Sequence, residues 1–422
     1  MNISGSMSRE KQKKQLRRQI VPDNSEQQAE LEEYRRKRRR RRGIILAVVL
    51  VLLSAAAAAI FFYDRYHAFG SYQVAWEKNL TNAEGEGGTG EGTFCEYVDF
   101  ADGVIKYTRD GASYLDHRGK AIWILSYEMR DPIIAVNGEY AAIADRQGNG
   151  LYICDRSGQQ GQASTALPIL DVSVSGKGVA AAIQEDSRAS YIYLYRKDGD
   201  PLDISVKSLL SGDGYPLDVS GSPGGTQWIT SYMYLDQGMI RNKIVFYNFG
   251  MGKNDPRRVV GIFLPSDLGD AMAGKVAFLD DSHSVIFTDR GLQFFSTRVE
   301  TSPETTAQVL LEERIRSISH SDQYVGVITD NTQNSDPYCL RVYGKEGKEI
   351  FNTTFSDPYT RFDIDKNMVL LYNEDSCRVY NMSGTQKFNG SFDFKLLKVS
   401  AGRYSNSLLV MGADVMKEIR LR

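Results

Sequence analysis

The sequence predicts an all-β fold, an eight-bladed β-propeller preceded by a single transmembrane helix, and three observations carry that prediction. Residues 43–63, GIILAVVLVLLSAAAAAIFFY, run for 21 positions without a charge, directly behind eight consecutive basic residues. From Phe94 onward, short runs rich in Val, Ile, Tyr and Phe alternate with turns of Gly, Asp, Asn and Ser, and no amphipathic helical period appears. One hairpin pattern recurs in that region: LDHRG, CDRSG, YRKDG, YGKEG and YNMSG, ending at Gly119, Gly158, Gly199, Gly347 and Gly384.

The chain before the apolar run divides in two. Residues 1–24 are polar and aperiodic, the composition of a disordered tail. Ser25 followed by Gln28 is a capping-box spacing, and the segment after it has no breaker, so a helix starts there and continues into the apolar run. A 21-residue helical span is about 31 Å long, which matches a hydrocarbon core of about 30 Å. The block Arg35, Arg36, Lys37, Arg38, Arg39, Arg40, Arg41 and Arg42 lies on its N-terminal side, while only Asp64 and Arg65 open the other flank. The positive-inside rule therefore makes residues 1–42 a cytoplasmic basic tail and residues 64–422 extracytoplasmic. Phe61, Phe62, Tyr63 and Tyr66 supply an aromatic belt at the outer edge.

Three other readings of these residues are weaker. A cleaved signal peptide usually has an apolar run of about 7–15 residues and a short basic region before it, and both are exceeded here. Five consecutive alanines, Ala55 to Ala59, permit close helix contact, but without GxxxG they read as apolar filler. The basic block abuts the span, which makes it a topology determinant and an anionic-lipid contact worth about 1 kcal/mol per residue, in preference to a nucleic-acid site. Residues 1–42 hold 14 Lys and Arg against 6 Asp and Glu, a net +8, whereas the whole chain is −2. The remainder is thus about −10, which argues against an external domain that holds polyanions. Membrane lipid is one expected partner; nucleic acid is not.

After the span, SYQVAWEKNL reads as a strand and TNAEGEGGTGEGT, residues 81–93, as a flexible connector. Each repeated hairpin then joins a strand such as LYICD or YIYLY to one such as AIWIL or EIFNTTF, with Gly supplying φ > 0 in the turn. Two further apolar runs precede each pair, IIAV and YAAIAD for example, so the unit is four strands in about 37–52 residues. Units of that length and content are propeller blades. ASYLD, LYICD, YIYLY, KIVFY, LQFFS, LRVY, CRVY and KEIRL are eight third strands, although NFGMGKNDP and STRVETSPETT replace the Gly turn in the middle two. Seven blades with an irregular insertion is the alternative count.

The last unit has only LLKVS, SLLVM and MKEIRL, one strand short. Residues 72–79 are expected to supply the missing outer strand by pairing with residues 415–421, with Tyr72, Val74 and Trp76 at the closure and Trp76 matching Trp123 of AIWIL. Only about eight residues separate this strand from the span, and they reach at most about 28 Å, which holds the propeller near the membrane.

No chemistry stands out. His67, His117, His283 and His320 are scattered singly, His117 being read as a solvated turn side chain. Cys95, Cys154, Cys339 and Cys377 have no metal-ligand spacing and read as small buried hydrophobes. HExxH, GxSxG and a P-loop are absent. Asp280, Asp281 and the 330–336 segment read as self-capping turns in preference to a cation site. No catalytic residue, cofactor or metal is assigned, and carboxylate pairs across the channel are not visible from spacing.

YLDHRGKAIW, Tyr114 to Trp123, resembles the repeat of quinoprotein-like propellers, where Asp, Gly-Lys and Trp recur at this spacing. Only this unit carries all of them, so the likeness is to the architecture and not to cofactor-binding members. A basic tail, one span and a degenerate propeller also resemble uncharacterised membrane-anchored propeller families of Gram-positive bacteria, which bring no catalytic residues to carry over. The resulting functional expectation is a scaffold or sensor that binds another envelope protein or polymer. Its loops 185–190, 235–242 and 330–337, between second and third strands, lie on one face. An enzyme working in the central channel is the alternative, quinoprotein-like or glycan-active.

Overall fold

Short apolar runs, buried on both sides in the middle strands of each blade and alternating in outer ones such as Ala121–Ser126, set the strands, and the turns between them set the order. The computed structural model describes residues 13, 24–80, 94–209, 212–251, 258–333 and 335–422. The expected tail apart from residues 13 and 24, the connector 81–93 and part of the NFGMGKNDP turn lie outside them.

The chain forms two units, residues 1–67 and 68–422. In the first, a helix α1 spans Asn24–Tyr66 and holds one stretch, Glu32–Tyr63, long and apolar enough to cross a membrane; a signal sequence has the same form. All eight residues of the basic block are exposed on α1, where Lys37 pairs with Glu33 at 2.8 Å.

The second unit is an eight-bladed propeller. Each blade is one antiparallel sheet of four strands, at 95–126, 132–164, 169–209, 215–263, 273–310, 315–355 and 361–391, with 398–421 completing the ring. In seven blades the four strands follow in sequence. Blade 8 takes three strands from 398–421 and its outer strand from Tyr72–Asn79, which pairs antiparallel with Val415–Leu421 from Tyr72↔Leu421 to Asn79↔Val415. Apolar clusters fill the spaces between neighbouring blades, as where Leu370, Val379 and Phe388 of blade 7 meet Val399, Val410 and Ile419 of blade 8. Burying such side chains contributes about 1.5–3 kcal/mol each before entropy is counted.

The turn glycines carry two requirements at once. Gly119, Gly199, Gly347 and Gly384 have φ between 69° and 89°, and each lies against the preceding blade. A Cβ on Gly347 would stand 2.6 Å from Ala307 Cβ and 2.8 Å from Phe294, and one on Gly199 2.2 Å from the Gln162 carbonyl. Glycine is therefore required for conformation and for blade spacing. Gly158 differs: its hairpin is shorter, Gly158 opens the outer strand opposite Asp155 with φ 129°, and it lies beside Trp123.

Two expectations are corrected. Residues 235–242 are not a loop, because Gln227–Asp236 and Met239–Asn248 pair along their whole length through the turn Gln237–Gly238. His117 is half-buried with its Nε2 enclosed and unpartnered, because its turn folds onto the blade in place of projecting into water.

Candidate functional site

Strand direction alternates within each blade, so the two faces of the ring carry different connections. One face bears the turns between third and fourth strands, including the five glycines. The chain also enters there, since Tyr72 pairs with the end of Val415–Leu421 and Phe69 donates its N–H to Lys387 O at 2.7 Å. The other face bears the second-to-third-strand loops and the connections between blades. Its largest projection is the blade 4 arm, where Leu235 and Ile240 sit directly across from each other, 67% and 62% exposed.

The innermost strands line the lumen, and their N–H groups at the sheet edge need acceptors. Neighbouring blades provide them through side chains. Asp218 Oδ2 accepts from Val276 N at 2.7 Å, Ser220 from Phe278 N at 3.0 Å, Ser319 from Ile364 N at 3.0 Å and Asp365 from Ala401 N at 2.7 Å.

Charges cluster on opposite sides of this lumen. On blades 3 to 5, Asp171 adjoins Asp218, which pairs with Lys275 at 3.0 Å. Burial, then the Asp218 charge, pushes the Asp171 carboxyl up to about 6. His320 stands at the lumen edge, open to solvent, with Lys275 and Asp218 as its charged neighbours. On blades 7, 8 and 1, Lys398 bridges Asp99 at 2.9 Å and Asp363 at 3.0 Å. Burial works against the charge of Lys398, yet the two carboxylates raise its pKa above the ordinary value. Asp365 is pushed up to about 6 by burial and by Asp99.

Two polar pockets open on either side of the blade 6 to blade 7 connection. One, of about 320 Å³ at the lumen mouth, is lined by Glu96, Arg361, Asp363 and Lys398 among others. The second, of about 280 Å³ between the outer strands of blades 6 and 7, is lined by Asp357, Tyr359, Arg378, Asn389 and Ser391. Tyr359 packs edge-on to Tyr338 and Phe355 and bonds Ser317 through its hydroxyl at 3.0 Å.

The structure places Tyr72, Val74 and Trp76 on the outer strand of blade 8, with a bulge between Val74 and Trp76 and Trp76 Nε1 donating to Glu418 at 2.8 Å. None of these or the turn glycines lines the lumen or the pockets. The expected turn aspartates are capped: Asp280 holds His283 and Lys345, and Asp281 accepts from Gly224 N. Among the described residues the four cysteines are buried thiols, and no group of three or more His, Cys, Asp or Glu could hold a metal. Sequence reasoning missed the lumen residues, although a signal existed: Asp171-Val-Ser173, Asp218-Val-Ser220, Ser317-Ile-Ser319 and Asp363-Ile-Asp365 repeat one polar alternation in the first strands.

Residues 65–421 match the model of a family of unknown function, DUF5711. The chain belongs to this family. No curated protein matches it. Solved structures similar to this DUF5711 chain are propeller-shaped and distant in sequence. BamB from Moraxella catarrhalis is 12% identical, with 83% of this chain and 100% of that one covered and a TM-score of 0.48. Sqt1 from Chaetomium thermophilum, solved bound to the N-terminus of ribosomal protein L10, is 9% identical over 77% and 92% of the two chains, with a TM-score of 0.49. The Cps50 (Swd1) propeller of Myceliophteria thermophila is 9% identical over 83% and 100%, with a TM-score of 0.45.

Proposed function

We propose that this protein is a single-pass membrane protein whose extracytoplasmic propeller is a binding module, a scaffold or sensor for another envelope protein or polymer. The observation that supports it is the inequality of the two faces of the ring. Chain entry and the short glycine turns share one face, while the arm, the uneven loops and both polar pockets share the other. A ring that concentrates irregular loops on the face opposite the chain entry suits recognition. Photo-crosslinking from membranes tests the reading. A crosslinker at Leu235 should capture one specific partner, and a crosslinker at Ile122, exposed on the outer strand of blade 1, should not; capture from neither position overturns it.

An enzyme working in the lumen is the second reading, favoured by one observation: Asp171 adjoins Asp218, and burial with the Asp218 charge raises its carboxyl to about 6. Coupled carboxyls of this kind can divide acid and base roles. Turnover of a glycan substrate that disappears in Asp171→Asn would support it.

A further inference from the structure

The two polar pockets share the ridge of residues 358–360, with Pro358 and Tyr359 facing one pocket and Thr360 the other. The charged side chains that line them are each engaged in an ion pair. At the lumen mouth Arg361 pairs with Glu96 at 2.9 Å and Lys398 with Asp363 at 3.0 Å; between the blades Arg378 pairs with Asp357. An incoming ion of either sign would find its counter-charge in each pocket already engaged, so neither pocket presents an unpaired charge of one sign among these residues. A neutral ligand leaves them intact.

Hydrogen-bonding capacity nonetheless remains open. Asn389 and Ser391 are exposed at the inter-blade pocket and offer it uncharged donors and acceptors. The same pocket has an apolar wall of Pro358, Tyr359 and Leu371. Uncharged donors and acceptors beside an aromatic and aliphatic wall match the mixed surface of a sugar, with its hydroxyls at the rim and C–H faces between.

We propose that these pockets are adjacent subsites for an uncharged saccharide chain, laid across the ridge on the face opposite the chain entry. This deepens the reading of that face as the binding face by naming the polymer. It accounts for the pairing of two cavities on one connection, since successive sugar units would occupy each in turn. The second engagement then becomes intramolecular and adds affinity without a new contact type.

The test is titration of the detergent-solubilised full chain with N-acetylchitotetraose and with the corresponding disaccharide, using the cationic glucosamine tetramer and an anionic hyaluronan tetrasaccharide as charge controls. The neutral tetramer should bind about tenfold or more tightly than its disaccharide, and neither charged oligomer should match it. The double variant Asn389→Ala, Ser391→Ala on one side, or Thr360→Arg on the other, should each reduce the tetramer to disaccharide affinity; all three positions are exposed, so folding is checked by an unchanged Tm. Equal affinity for the two lengths, tighter binding of a charged oligomer, or no neutral binding at all overturns the proposal. If Leu235 captures a protein partner while no saccharide binds, the saccharide assignment alone falls and the binding-face reading stands.

Discussion

Lys78 donates a 2.6 Å hydrogen bond from Nζ to the carbonyl oxygen of Gly119, across the seam between blades 8 and 1. A Cβ on Gly119 would stand 3.2 Å from Lys78 Cδ and 3.3 Å from Met416 Sδ. The contact repeats at the seam what other turns make elsewhere, where Gly347 meets blade 5 and Gly384 meets Phe351 of blade 6. Gly119, Gly199, Gly347 and Gly384 are thus spacers between blades as well as bends within one.

Substituting two glycines separates these roles. Gly138 has φ 61° and nothing within 4 Å of the place a Cβ would take, whereas Gly347 has φ 81° and two close neighbours. Gly138→Ala should cost about 1 kcal/mol from backbone strain alone. Gly347→Ala should cost about 2–4 kcal/mol, since overpacking adds to the strain. Thermal melts of the full chain check this, and equal losses would refute the spacing role.

Short apolar runs between turn residues are enough to read all eight third strands, five of them also marked by the four-position glycine spacing, because both signals are local. The lumen is not readable from single strands. Asp218 looks like any half-buried strand residue until the chain returns 58 residues later and offers the Val276 N–H. The pockets depend on where the 356–360 connection crosses between blades, which no local pattern encodes. His117 departs from its expected exposure because polar turns usually face water, and this one folds back.

Deleting residues 72–79 from the full chain should lower the Tm and promote self-association. The deletion uncovers the edge of Val415–Leu421 and removes the Trp76 to Glu418 bond. Melts and sedimentation of the detergent-solubilised chain would show the change; an unaltered Tm and monomeric behaviour would refute a closing role for this strand.

The lumen should confer an acid-favouring contribution to stability. Asp171 has an ordinary value of 3.8 and is raised to about 6 in the fold, so the folded chain binds its proton more tightly than the unfolded one. Its contribution is fully present below about pH 3.8 and lost as the pH rises through about 6. Asn at this position keeps the acceptor for Val172 N and a donor toward Asp218. Asp171→Asn should therefore gain Tm relative to the parent between pH 4 and 7.5, and a pH-independent difference would refute the assignment.

Topology is tested from outside the cell. Protease added to intact cells should remove the chain after Gly70 and leave a membrane-bound stub, the outcome expected when the basic block stays in the cytoplasm. Full protection of the propeller would overturn the extracytoplasmic proposal.

Closure by residues 72–79 also sets a clock on biosynthesis. Trp76 and Glu418 are 342 positions apart, so a ribosome adding about 5–20 residues per second makes the first about 17–70 s before the second. For that interval the nascent ring has an unmatched strand at its start and no partner for it, while the intervening blades stack one after another. Yield should then follow the rate of synthesis and the crowding of nascent chains, because a waiting strand can be captured by a neighbour's growing sheet before its own arrives.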